Sequence, residues 1–226
     1  MTTETNTALY RLLTWLSPAY PVGAFSFSQG LETAVHHKLV TDMDSTRRWL
    51  QDILEYGSIW SDAAIFANAH GATTISTIEE INEFALAFQP SAELKAETLA
   101  LGRAFVQTTL LAWPSPLLEV ANQTIGENFA YPCAVACAAS GHDIELIPAL
   151  QAWCHSSVSN LVSAAIRLVP LGQSDGQKIL AALERQILTT AERAAETHLD
   201  NLVTSSLMAE ICSMQHETQH VRLFRS

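Results

Sequence analysis

Apolar residues recur along this chain at intervals of three and four, and no stretch sustains an alternation of two. That spacing restricts the chain to helices. Leu9, Leu12, Leu13 and Leu16 form one such stripe, which Pro18, Pro21 and Gly23 then interrupt. Helix is predicted to resume near Gln29 and to run to about His37. Asp44 or Ser45 can cap a long helix through Trp49, Leu50, Ile53, Leu54 and Trp60. Thr77 with Glu80 forms a capping-box pattern before Ile81. Ser91 can cap a helix with Leu94, Thr98, Leu101, Phe105 and Thr108 on one face, ended by the Trp113-Pro114-Ser115-Pro116 turn. Further helices are predicted from Pro116 to about Gly126, and from Ala130 to Ser140 with Gly141 as its C-terminal cap. Others should run from near Pro148 towards Leu168, from a Ser174/Gln177 capping box to about Thr197, and from Leu199 to Ser213. The expected fold is an all-α, single-domain bundle of about nine or ten helices spanning residues 1–226. The N-terminus (about 1–6) should be flexible and the stretch 214–226 should form a tail.

Charge excludes several functions. Twelve Lys and Arg against 23 Asp and Glu give a net charge of −11, with no basic cluster. Nucleic-acid binding and adhesion to an anionic membrane both need one. Only 15% of residues are charged and 48% are hydrophobic, against a typical charged share of roughly 25%. Such a chain suits burial of large surfaces against partners. Two stretches lack Asp, Glu, Lys and Arg. Leu12–Leu31 carries two prolines, and Leu146–Ile166 carries Gln151, His155, Asn160 and several serines. The second reads as a buried helix with polar contacts rather than a membrane span. A polar Met1–Thr7 without a basic region and four cysteines point to a cytoplasmic protein with free thiols.

The end of the chain contains His216-Glu217-Thr218-Gln219-His220, a formal H-E-x-x-H pattern. On a helix His216 and His220 could bind zinc with Glu217 as general base, which makes a zinc-dependent hydrolase the alternative reading. Val221–Ser226 offers no His, Asp or Glu as a third ligand. A nucleophile elbow would need glycine where Ser26 stands, and a Walker loop would need glycine where Gln177 stands. Cys133 and Cys137 are spaced to face together on a helix, as a soft-metal pair or as small buried residues. His36 and His37 are expected to point apart, solvated or hydrogen-bonded. Ser17–Glu32 is aromatic and uncharged until Glu32, so it should be tucked into the core or covered by a partner. In Arg222-Leu223-Phe224, a guanidinium suited to bidentate contacts stands beside an apolar pair suited to anchoring.

Several of these segments together resemble the UreF family of urease accessory proteins. They are Ser17–Glu32, Glu97–Phe105, Tyr131-Pro132, Ser159–Arg167 with Pro170–Gln173, and Met214–Ser226. The resemblance implies an all-α, non-enzymatic, dimeric protein that binds UreD (also called UreH). With it the protein recruits the GTPase UreG, modulates that GTPase and supports nickel delivery to apo-urease. It implies a tail that packs when the partner binds, with Arg222 at the position important for the complex. Partner-binding residues are expected to be Arg222, Leu223, Phe224, Glu217, His216, Phe25, Ser26, Gln29 and Glu32. No catalytic residue, bound cofactor or resident metal is expected, nickel being handled transiently by the assembly. The chain departs from the family pattern with His220 and Phe27 where Tyr is common, and Cys133 where Val or another small apolar residue is common. The first means that zinc ligation through His220 is not a family property.

Overall fold

The computed structural model describes residues 3–226, with side chains from Asn6 onward. Residues 1–2 of the N-terminal stretch expected to be flexible lie outside the described residues. The described residues form eleven α-helices and no strand. In chain order they are α1 (Thr3–Trp15), α2 (Leu31–His36), α3 (Met43–Tyr56), α4 (Ser58–His70), α5 (Ile75–Ala87) and α6 (Ala92–Ala112). Then come α7 (Pro116–Ile125), α8 (Tyr131–Ser140), α9 (Leu146–Leu168), α10 (Gln173–Ala195) and α11 (Leu207–His216). The all-α bundle expected from periodicity is the fold observed.

The core forms around α4 and α8. Both are rich in alanine and buried along most of their length, because small side chains let neighbouring helices approach closely. α9 also carries the predicted polar contacts: Ser156 Oγ donates to the Leu16 carbonyl, and Asn160 Nδ2 to that of Ala24. No helix among the described residues is long and apolar enough to cross a membrane.

Local differences from the sequence reading have identifiable causes. The predicted long helix through Trp60 is divided at Gly57, giving α3 and α4. α5 is capped by Thr74, whose Oγ1 accepts from the Thr77 amide at 3.1 Å, one turn before the predicted box. α10 starts at Gly172, whose amide donates to Asp175 Oδ2 at 3.1 Å, rather than at Ser174 with Gln177. Gly141 stays right-handed at φ −66°, and Asp143 takes the left-handed turn at φ 55°. Leu12 and Trp15 turn inward from α1 while Leu9 and Leu13 remain exposed, so the predicted stripe is rotated. The helix predicted from Leu199 is a short 3-10 turn, Leu199–Asn201, followed by non-helical chain up to Ser206. Tertiary bonds fix that segment: Trp60 Nε1 donates to the Val203 carbonyl, the Ser205 amide to the Tyr56 carbonyl, and Ser206 Oγ to Asp52.

Candidate functional site

The uncharged 17–32 segment and the chain's end meet on the surface formed by α2, α6 and α11. Left-handed backbone at Gln29 (φ 53°) and Gly30 (φ 79°) turns the chain into α2. Only glycine fits at position 30, since a Cβ there would lie 2.6 Å from the Ser213 amide nitrogen of α11. That close approach sets α2 against α11 and buries Glu32 in the first turn of α2. At the start of α6, Ser91 Oγ accepts from the Leu94 amide at 3.1 Å and shares a hydrogen bond of 2.6 Å with Ser213 Oγ. Glu217 Oε1 accepts from the Ala92 amide at 2.8 Å. α6 and α11 are thereby joined, and Glu93 and Glu97 come beneath the tail.

The tail is held almost entirely by glutamates. Glu32 accepts the Leu223 amide at 2.7 Å on Oε1 and the Phe224 amide at 3.0 Å on Oε2. Arg222 donates to Glu93 Oε1 at 2.6 Å. His216 is fully buried between the two acids, with Nδ1 2.6 Å from Glu93 Oε2 and Nε2 3.2 Å from Glu32 Oε2. At the last residue, Ser226 Oγ donates to Glu97 Oε2 at 2.6 Å, and its main-chain oxygen accepts from Ser28 N at 2.8 Å and Ser28 Oγ at 2.5 Å. The Arg225 amide donates to the Ser26 carbonyl at 2.8 Å. Phe224 joins a second, smaller apolar cluster with Leu31, Ala34, Ala165, Val169 and Cys212. The Arg167 guanidinium lies 4.2 Å from the centre of its ring and also donates to the Phe25 carbonyl at 2.5 Å.

This packing divides the tail into two sides. Phe224 and Ser226 point inward. Val221 is 85% exposed and Leu223 61%, and the neighbouring Phe25 is 64% exposed. Arg222, Arg225 and Arg167 surround them, so three of the chain's twelve basic residues gather here on a strongly acidic molecule.

Beneath the clasp lies a cavity of about 60 Å³ lined by Gln29, Ser58, Asp62, Gln89, Glu97 and Trp153, among others. Gln29 links its wall to the tail's anchor: Nε2 donates to Glu97 Oε1 at 2.9 Å and Oε1 accepts from Ser58 Oγ at 2.9 Å. Asp62 Oδ1 and Trp153 Nε1, both facing this region, have no hydrogen-bond partner in the protein. Burial pushes Glu97 up to about 7 against the lowering effect of Gln29 and Ser226. Burial, with the charge of Glu97, pushes Asp62 up to about 7.

The structure brings all nine sequence-predicted residues into this one region. Ser26 contributes its carbonyl, Gln29 its amide, and Glu32, His216 and Glu217 their side chains. The Ser17–Glu32 segment is both tucked in and left open: Tyr20 and Phe27 are buried while Phe25 faces outward. Sequence reasoning did not single out Glu93, Asp62 or Ser226 as site residues. Glu97 and Arg167 lay within segments noted for their resemblance but went unselected. Glu97 carried a usable signal, since it stands three residues after Leu94 and four before Leu101, a charge on an otherwise apolar face.

The zinc geometry does not form. α11 ends at His216, Glu217 is its cap, and His220 lies outside the helix and is exposed, so the two histidines do not share a helical face. Both nitrogens of His216 are engaged by glutamates. Cys133 and Cys137 are fully buried on α8. Burial pushes the Cys137 thiol up to about 12 and the Cys133 thiol higher than its ordinary value, so neither presents a thiolate. His36 and His37 do not point apart: their rings meet edge to face at 5.4 Å.

A family model described as UreF matches residues 40–184. The urease accessory protein UreF of Rhodopseudomonas palustris (strain BisB5) is 44% identical over 229 residues, covering 100% of this chain and 94% of the relative. That of R. palustris (strain HaA2) is 44% identical over 229 residues, covering 100% of this chain and 97% of the relative. The UreF of Bradyrhizobium sp. (strain ORS 278) is 45% identical over 222 residues, covering 97% of this chain and 92% of the relative.

Proposed function

The chain belongs to the UreF family of urease accessory proteins, and on that premise we propose that it acts in urease maturation as a non-catalytic adaptor. In this reading it binds UreD (UreH) through the strapped tail and with it recruits the GTPase UreG. It modulates that GTPase and supports nickel delivery to apo-urease, working in the cytoplasm as a homodimer. The observation that supports it best is the two-sided tail. Exposed Val221, Leu223 and Phe25, ringed by three guanidiniums, form a small apolar patch with a basic rim. Such a patch fits a partner surface that offers an apolar pocket edged by carboxylates or carbonyls. The tail packs on its own chain, so the surface is held in place before any partner arrives, which lowers the ordering cost of binding.

Co-purification with UreD, and with UreD plus UreG, tests this reading. The wild type should be retained by UreD. Leu223→Asp should be retained at least about tenfold less, since it puts a charge into the centre of the contact while leaving the glutamate bonds of the tail intact. Equal retention of wild type and Leu223→Asp would remove the tail from the interface. Failure of the wild type to bind UreD at all would remove the adaptor reading.

A further inference from the structure

We propose that His216 is a proton-dependent latch for the tail, and that the buried Glu32–His216–Glu93 array holds the strap only while the imidazole carries two protons. The argument begins with donors and acceptors. An ionised glutamate can only accept, and a neutral imidazole has one N–H and one lone pair. His216 presents both ring nitrogens to carboxylate oxygens, at 2.6 Å and 3.2 Å. Both contacts are hydrogen bonds only if both nitrogens donate. With two protons on the ring, Glu32 and Glu93 are balanced by His216 and Arg222. Without the second proton, a lone pair faces a carboxylate in a site closed to water, and two acids share Arg222 alone.

The same two acids carry the strap. Glu32 receives the Leu223 and Phe224 amides and Glu93 receives Arg222, so His216 sets the spacing of both acceptors from beneath. A shift of either acid away from a neutral ring pulls it off the tail. The groups that face this array from the packed elements are few. α2 supplies Glu32 and the exposed His36; α6 supplies Glu93 and, one turn on, Glu97; the tail supplies Arg222, Glu217 and the exposed His220. Only Arg222 among them bears a permanent positive charge. Histidine ordinarily loses its second proton between about pH 5 and pH 8, the range in which such a latch is useful.

The latch itself stands on the isolated chain. Its use, letting local proton activity decide whether the strap is presented, rests on the partner reading above. The test therefore has two arms. On the full chain alone, nitrogen-15 NMR of His216 should show both ring nitrogens protonated below about pH 7. Hydrogen-exchange protection of the Leu223 and Phe224 amides, corrected for intrinsic rate and referenced to α9, should fall at least about tenfold once the second proton is lost. In His216→Gln the two amides should be less protected at low pH and their protection should no longer change with pH. A singly protonated ring across the range, or equal pH dependence in wild type and His216→Gln, overturns the latch. The second arm measures UreD binding across the same range: binding that follows tail protection supports its use in assembly. Binding that ignores it leaves the latch standing and removes its role there, and absence of binding at every pH counts against the partner reading alone.

Discussion

Asp62 and Glu97 line one cavity without a basic residue among its walls, and their situation predicts a pH dependence for the whole chain. Burial is the largest cause at both, and both are raised to about 7. A carboxyl raised in the folded state contributes stability that is fully present below its unfolded value of about 4 and is lost as pH rises to about 7. The native state holds the extra protons in that window, so these two groups make stability fall with pH there. Asp62→Asn removes one of the charges while keeping the size and polarity of the side chain. The substitution should stabilise the chain at pH 8 by on the order of 2 kcal/mol and flatten the decline between about pH 4 and pH 7. Urea unfolding at several pH values measures both. A variant with the wild-type slope would show that Asp62 is ionised without cost. This residue pair was not legible in the sequence: Asp62 lies in a helix whose other residues are nearly all apolar, and nothing local reveals that it faces Glu97 across the bundle.

Elements were more legible than residues where the signal was local. Ser91 and Ser115 cap the helices that follow them, as their place before apolar runs indicates. The 202–206 segment was misread because its state is set by bonds to α3 and α4, which no window of sequence contains. The pairing of α6 with the chain entering α8 is likewise a long-range fact, and it depends on one residue. A Cβ at Gly102 would sit 2.0 Å from the Phe129 carbonyl oxygen and 3.0 Å from the Tyr131 amide nitrogen, both backbone atoms. Neither can swing aside, so Gly102→Ala must move α6 away from the Phe129–Tyr131 chain. That movement also strains the Tyr131 amide bond to Thr98 Oγ1. The expected cost is about 1–3 kcal/mol, read as a lower midpoint in thermal or urea unfolding. Gly126→Ala is the contrast at φ 63°, where a Cβ meets nothing within 4 Å and only backbone strain of about 1 kcal/mol opposes it. Equal destabilisation by the two variants would contradict the close approach.

At the scale of the whole molecule the tail is an accessory to the core rather than part of it. The main apolar cluster runs from Leu12 to Leu202 and contains no residue of the tail. Phe224 alone contributes to the second cluster, and the rest of the strap is held by acids whose other donors are few. Removing residues 221–226 should therefore leave helical content unchanged while lowering stability. The loss comprises burial of the Phe224 ring and the donors to Glu32, Glu93 and Glu97, together about 2–4 kcal/mol. For a chain of this size that corresponds to a fall of about 4–12 °C in the unfolding midpoint. Two opposing effects decide the sign. Truncation relieves the chain of ordering six residues, about 1 kcal/mol or more each, which offsets much of the gross contact energy. The buried Glu32 then keeps only His216 as a donor partner, and an acid stripped of its amide donors near a core cluster costs more than the entropy returned. Far-UV circular dichroism should match the full chain, and calorimetry should show the lower midpoint. An unchanged midpoint would mean that the strap is held at no net gain, available to a partner at almost no cost.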